Sequence, residues 1–233
     1  MTTYKGINGF AVQSVASDPS PLDEGQVWYN NATYAFKLAS VTTAGTWASG
    51  GNLTTAKIFH SGDGPQTAGW AAGGGTSPGD AQNNAQQYNG TSWTNIPNLP
   101  SSRFGLAGAG TQTGSLVFGG NPGNNSVNLY NGTSWSNVNS LSTGRVYINR
   151  AGISTSALAM GGASPDTTSV TNTEEYDGST WTSGGSLSTA RLGLAGSGIQ
   201  TSGLGFGGKT TVVVANTEEY SDPSFSTKTI TTS

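Results

Sequence analysis

Short apolar runs, few of them longer than five residues, alternate along this chain with stretches rich in glycine, asparagine and proline. Over residues 99–140 the runs fall at 104–110, 115–118, 126–130 and 134–138, with Asn121-Pro-Gly-Asn and Asn131-Gly132 between them. Runs of this length bounded by turn residues read as β-strands. No stretch of ten residues carries a helical period, so almost no helix is expected. Asn-Gly between two extended runs predicts a hairpin closed by a type I′ turn, which needs positive φ at both central residues. Asn89-Gly90 and Asn131-Gly132 supply that dipeptide, and Asp177-Gly178 is its equivalent.

The pattern repeats. Trp47, Trp93, Trp135 and Trp181 lie 46, 42 and 46 residues apart, and Phe225 takes the next place 44 residues on. Glycine doublets keep the same step at Gly73-Gly74, Gly119-Gly120, Gly161-Gly162 and Gly207-Gly208. So do Tyr88, Tyr130, Tyr176 and Tyr220, each of the first three standing five residues before its tryptophan. A cation marks every unit (Lys57, Arg103, Arg145, Arg191), with Leu53, Leu99, Leu141 and Leu187 four residues ahead of it. Thr67, Thr113, Thr155 and Thr201 each precede the second glycine of a doublet by seven residues. Self-similarity at this period marks a repeat architecture. Four short antiparallel strands per unit fit a propeller blade, in which radial repetition protects the sheet edges. Glycine inside a strand costs roughly 0.5–1 kcal/mol relative to alanine, so a doublet in every unit implies close approach of neighbouring backbones. The Tyr–Trp rings are expected to pack between adjacent blades.

Composition narrows the classes further. Charged residues make up 9% of the 233, and glycine fills 36 positions. Nine Lys and Arg spread over the chain cannot build the basic face that nucleic acid requires, and no apolar run approaches the length of a membrane-spanning helix. Disordered chains of low hydrophobicity are usually highly charged and poor in aromatics. This one has 6 Trp, 8 Tyr and 7 Phe. With no cysteine, thiolate chemistry and disulfides are excluded; with one histidine, His60, so is any site needing two imidazoles. Met1-Thr-Thr-Tyr-Lys-Gly lacks the order of a signal peptide, so synthesis in a cytosol is expected.

A glycine doublet, a tyrosine 10 to 14 residues later and a tryptophan five further on resemble the kelch repeat. Leu141-Ser-Thr-Gly-Arg145, with its copies Leu99-Pro-Ser-Ser-Arg103 and Leu187-Ser-Thr-Ala-Arg191, is similar to the segment that opens the next kelch blade. The resemblance covers residues 53–233 and implies an all-β, kelch-like β-propeller of four repeats, at about 53–98, 99–140, 141–186 and 187–233. The units are shorter than the roughly 50 residues of kelch, and there are only four. Enzymes related to kelch proteins, such as galactose oxidase, use copper held by histidines beside a Cys–Tyr crosslink. That activity does not carry over to a chain with no cysteine and one histidine.

Residues 1–52 differ and read as an anchoring or oligomerisation segment. Glu24-Gly-Gln-Val-Trp-Tyr-Asn-Asn31 with Phe36-Lys37 resembles a segment common in bacteriophage tail-fibre and other virion proteins. Together with the low-charge repeats, it resembles kelch-like structural proteins of marine bacteriophages. A hairpin is expected over residues 28–37, and a strand at 46–49 would give the N-terminal segment a share in a fifth, partial blade. The alternatives of closing as four blades or through neighbouring chains stay open. Residues 1–17, with Tyr4, Ile7, Phe10, Val12 and Val15, are read as a surface for a partner or a neighbouring subunit.

Candidate chemistry is sparse. His60 with Asp63 could bind a metal or move a proton, but no third ligand stands at usable spacing, and a polar surface position is the favoured reading. Glu174-Glu175 and Glu218-Glu219 suggest the two acids of a glycosidase. As repeat equivalents they face alike one blade apart, and the favoured reading pairs one of each with Arg145 or Arg191 at a blade junction. Asn-x-Thr/Ser triplets at Asn31, Asn52, Asn89, Asn124 and Asn131 are read as turn chemistry rather than glycan acceptors. The loops after the doublets (76–86, 121–125, 163–171, 209–213) vary most between units, and variable loops on a repeated frame commonly carry binding. Thr76, Asp80, Asn121, Asn124, Asp166 and Lys209 are the candidate binding residues.

The resulting expectation is a non-enzymatic virion structural protein made in the host cytoplasm: a tail-fibre, tail-tip or capsid-decorating component. It would present the propeller for host attachment through glycans, without a cofactor or metal. The N-terminal segment would bind other virion proteins and promote homo-oligomers. The alternative is a soluble propeller enzyme or scaffold acting on carbohydrate.

Overall fold

The computed structural model describes residues 12–22, 26–39, 45–77, 79–122, 125–164 and 167–222. The protein is all-β, with no helix among the described residues, and divides into two compact units, Met1–Ser49 and Gly50–Ser233.

In the first unit, β2 (Val27–Asn30) and β3 (Ala35–Leu38) form the expected hairpin, and β1 (Gln13–Val15) adds to β2 in parallel. Asp18 is the hub of this sheet. Its carboxylate accepts from Trp28 Nε1 at 3.0 Å, Asn30 Nδ2 at 2.8 Å and Lys37 Nζ at 2.7 Å. The Lys37 bond, followed by those from Asn30 and Trp28, holds the Asp18 carboxyl down at about 2. The strand expected at 46–49 is not formed, and Trp47 is fully exposed. Its siblings each have a tyrosine five residues earlier to pair with across a hairpin, whereas the residue five before Trp47 is Thr42. Of the expected surface on residues 1–17, residues 1–11 lie outside the described residues.

Among the described residues the second unit holds four sheets, three of them four-stranded and antiparallel throughout. The first contains β4 (Ser61–Asp63), β5 (Trp70–Ala72), β6 (Ala85–Tyr88) and β7 (Trp93–Ile96). The second contains β8 (Ala107–Thr111), β9 (Gly114–Phe118), β10 (Val127–Tyr130) and β11 (Trp135–Val138). The third runs β12 (Asn149–Ile153), β13 (Ser156–Met160), β14 (Thr173–Tyr176) and β15 (Trp181–Ser183). The fourth shows β16 (Ala195–Ile199), β17 (Ser202–Phe206) and β18 (Thr217–Ser221) among the described residues. Phe225, expected in the place of its tryptophan, lies outside them.

The Asn-Gly hairpins are closed differently from the type I′ expectation. Only the glycines take positive φ, at 91° for Gly90 and Gly132 and 93° for Gly178. Tyr88 pairs with Trp93, Tyr130 with Trp135 and Tyr176 with Trp181, which leaves four residues in each loop. The wider loop forms because the first side chain caps it: Asn131 Oδ1 accepts from the N–H groups of Thr133 and Ser134, both at 2.9 Å. Asn89 and Asp177 do the same.

A basic latch locks each of the last three repeats. Arg145 Nη1 donates to Gly161 O at 2.8 Å and Asn172 O at 2.7 Å, while Nη2 pairs with Glu174 at 2.8 Å. Arg191 makes the same bonds to Gly207 O, Asn216 O and Glu218, as expected for one acid of each pair. Arg103 reaches Gly119 O, Ser126 O and, instead of an acid, Asn128 Oδ1. The reason lies in the loop that opens each repeat: Glu174 and Glu218 also accept the N–H of Ser142 and Ser188, and the equivalent residue in the second repeat is Pro100, which has no N–H. Without an acid, desolvation pulls the Arg103 guanidinium down to about 10.

First strands of successive sheets lie side by side, β4 with β8, β8 with β12 and β12 with β16. Each junction repeats two backbone bonds. Gly74, Gly120 and Gly162 N–H donate to Arg103, Arg145 and Arg191 O at 2.8–2.9 Å. Gly105, Tyr147 and Gly193 N–H donate to Phe59, Gly105 and Tyr147 O at 2.7–2.9 Å. Apolar side chains fill the space between the sheets, Trp70 against Val117, and Leu116 and Phe118 against Ala157 and Ala159. The tryptophans bridge neighbours as expected at two places: Trp135 Nε1 donates to Pro97 O at 2.9 Å, and the Trp181 ring lies 5.0 Å from that of Phe118.

Candidate functional site

Four equivalent segments, each beginning just after the cation of its repeat, converge. Residues three to five places beyond Lys57, Arg103, Arg145 and Arg191 line one cavity of about 280 Å³: His60–Gly62, Leu106–Gly108, Ile148–Arg150, and Ala195 with Gly196. Its walls are mixed. Leu106, Ala107 and Ile148 are buried and apolar, whereas Arg150 carries a charge paired with Asp63 at 3.0 Å.

Immediately before these residues stands a cluster that sequence reasoning missed. The rings of Phe59, Phe104 and Tyr147 come within 5.6–6.3 Å of one another. Phe59 and Tyr147 occupy the same repeat position as Gly105 and Gly193, and all four are left-handed, at φ 53°, 54°, 64° and 61°. Glycine takes that conformation freely; a bulky residue there is a genuine outlier and costs on the order of 1–3 kcal/mol. The junction bonds hold the backbone in place. Two repeats therefore carry aromatic rings where the frame itself favours glycine. The signal was present in the alignment of the units, as an aromatic residue replacing an alternate glycine.

The variable loops leave from the same end of the sheets. Ile58 bridges Gly75, Phe104 bridges Asn121, Val146 bridges Ala163 and Leu192 bridges Lys209, so each loop starts beside one of these segments. In the first loop Asp80 accepts from the Thr76 hydroxyl and N–H and from Gln82 Nε2, and the Thr76 hydroxyl leads the interactions that keep its carboxyl below the ordinary value. Asn121 exchanges both backbone bonds with Phe104. Lys209 O accepts from Leu192 N–H and from Ser169 Oγ at 3.3 Å, which ties the third loop to the fourth. Asn124 and Asp166 lie outside the described residues.

His60 and Asp63 do not pair, and His60 is exposed, in keeping with the favoured reading of a polar surface position. Asp63 turns instead to Arg150 and to Gly110 N–H at 3.1 Å, because the third repeat delivers a cation and the second an open donor to it. His60 is held below its ordinary pKa, by desolvation first and then by the Lys57 charge. Lys57 itself is drawn down to about 8 by desolvation. Of the paired acids, Glu174 and Glu218 are engaged by the latches, and Glu175 accepts from the Tyr220 hydroxyl. Among the described residues no three of His, Cys, Asp or Glu stand together as a metal site.

The arrangement can therefore bind by stacking and hydrogen bonding: aromatic faces at the point of convergence, polar loops around them. No protein-family model matches the chain, and a search among curated proteins finds no relative.

Proposed function

We propose that this chain is a non-enzymatic structural and adhesive protein of a bacteriophage particle, a tail-fibre, tail-tip or capsid-decorating component. In this reading the four sheets form a kelch-like propeller, and the end bearing Phe59, Phe104 and Tyr147 faces a host-surface glycan. The observation that carries the reading is the pair of aromatic residues kept in a left-handed backbone where sibling repeats have glycine. Strain kept at one end of a regular frame points to use at that end. Half-exposed rings offer apolar faces to the C–H face of a sugar, and the Thr76–Asp80, Asn121 and Lys209 loops add polar contacts around them. The acids Glu174 and Glu218 serve the frame, and Asp63 pairs with Arg150 of the third repeat.

Mass spectrometry of purified phage particles tests the assignment. The reading predicts peptides of this chain at a fixed stoichiometry to the major structural proteins. Their absence from particles, with the protein present only in infected-cell lysate, would contradict it and favour a soluble carbohydrate-active or scaffolding role.

A further inference from the structure

Among the described residues, the junction that joins the first three repeats to their successors is not made at the fourth. A Cβ added to Gly73, Gly119 or Gly161 would meet the carbonyl oxygen of the next repeat's arginine at 2.6–2.8 Å, whereas at Gly207 the nearest atom is Val214 O at 3.8 Å. A Cβ on Gly105 would strike Val146 and Tyr147 of the next repeat; on Gly193 it meets nothing within 4 Å. Among the described residues Gly208 N–H and Gly193 C=O have none of the junction bonds their equivalents make. The side chains agree. Phe118 and Met160 are 0% and 2% exposed, and their equivalent Phe206 is 39% exposed.

Among the described residues, the complementary flank of the first repeat also lacks the junction contacts of its siblings. Gln200, at the leading edge of the fourth sheet, donates to Tyr176 O of the third at 2.6 Å, and Gln112 reaches Tyr88 O in the same way. Their equivalent Gln66 is exposed. Phe59 N–H, among the described residues, lacks the carbonyl that Gly105, Tyr147 and Gly193 each find. In sequence, Thr46-Trp-Ala-Ser-Gly-Gly51 precedes the first repeat and matches Thr180-Trp-Thr-Ser-Gly-Gly185 at five of six positions. The latter contains β15, the outer strand of the third sheet, and the fourth sheet has no such strand among the described residues.

We infer that a second copy of this chain docks head to tail on the fourth sheet. Its first repeat takes the place of a successor repeat, and its Trp47–Ser49 segment adds to β18 as the outer strand. The register follows from β14 and β15, where Glu175 faces Thr182 and Tyr176 faces Trp181. In the assembly Glu219 of one copy faces Ala48 of the other, and Tyr220 faces Trp47. Such a heterologous contact builds a closed ring or an open stack, depending on the rotation per copy. Main-chain hydrogen bonds to an exposed sheet edge supply the affinity, and burial of Trp47 and Phe206 adds to it.

The chain has no cysteine, so engineered thiols report cleanly. Full-length Ala48→Cys and Glu219→Cys, both at exposed positions, are mixed and treated with a short bis-maleimide. The inference predicts a covalent species of twice the single-chain mass from the mixture. The double variant should then give a ladder of multimers. A double variant that links only within itself would show closure by its own first repeat and overturn the inference. Absence of any link would overturn it too, leaving residues 223–233 or another protein as the occupant. Light scattering on the unmodified chain is the second readout: at least a twofold mass is expected, falling to a single chain on Trp47→Asp or Phe206→Asp. A single-chain mass for the unmodified protein at the same concentration contradicts the proposal.

Discussion

A Cβ placed on Gly119 would stand 2.7 Å from the carbonyl oxygen of Arg145, the residue that opens the next repeat. The doublet is thus where one sheet meets its successor, and two constraints act there at once. The backbone is left-handed, with φ at 69°, and the space a side chain needs is taken by main chain.

Gly207 has nearly the same φ, 65°, without that neighbour, so the pair separates the two constraints. Gly207→Ala is expected to cost about 1–2 kcal/mol, the price of a left-handed non-glycine residue. Gly119→Ala should cost that plus a further ~1–3 kcal/mol of overpacking. Urea denaturation at a protein concentration where the chain is monomeric checks the order. Equal losses would mean that backbone conformation alone dictates the doublet.

The Arg145 latch predicts an asymmetry between its partners. Arg145→Met leaves Gly161 O and Asn172 O without their donor and Glu174 as an uncompensated charge, 1% exposed. Breaking a buried pair in this way costs about 3–5 kcal/mol. Glu174→Gln keeps an oxygen for Arg145, as Asn128 does for Arg103, and should cost less, about 1–3 kcal/mol. Denaturation midpoints decide the order; a greater loss for Glu174→Gln would show that the charge, rather than the carbonyl bonds, holds the latch.

Acid should loosen the N-terminal unit through Asp18. Its folded pKa of about 2 lies below the ordinary 3.8, so folding binds fewer protons between these values. The contribution is fully present above about 3.8 and is lost as the pH falls through 2. The Trp28 indole N–H resonance, whose proton is bonded to Asp18, should shift and sharpen its exchange across this window. In Asp18→Asn the pH dependence should disappear; its persistence would assign the transition to another group.

Much of the frame was legible because it is repeated four times. The doublets, the Tyr–Trp pairs and the matching of Glu174 and Glu218 to arginines all follow from equivalent spacing. The hairpin loops were legible in place but not in type, since Asn-Gly suits both a two-residue turn and a wider loop capped by the Asn side chain. Thr133 and Ser134, whose N–H groups Asn131 accepts, decide for the wider one. The Asp63–Arg150 contact lies beyond local reasoning, because it joins residues two repeats apart that only tertiary convergence brings together. Phe59 and Tyr147 were not legible for the opposite reason: a repeat announces itself at positions that agree between units, and these two are informative where the units disagree.

Competition for adsorption tests the central claim most directly. Purified full-length chain, added to host cells before phage particles, should reduce adsorption in proportion to its concentration. Phe59→Gly/Tyr147→Gly relieves two left-handed residues of strain and should fold at least as stably as a ring deletion elsewhere, yet lose at least tenfold in competing strength. Equal competition by both proteins, or none by the unmodified chain, would contradict the account.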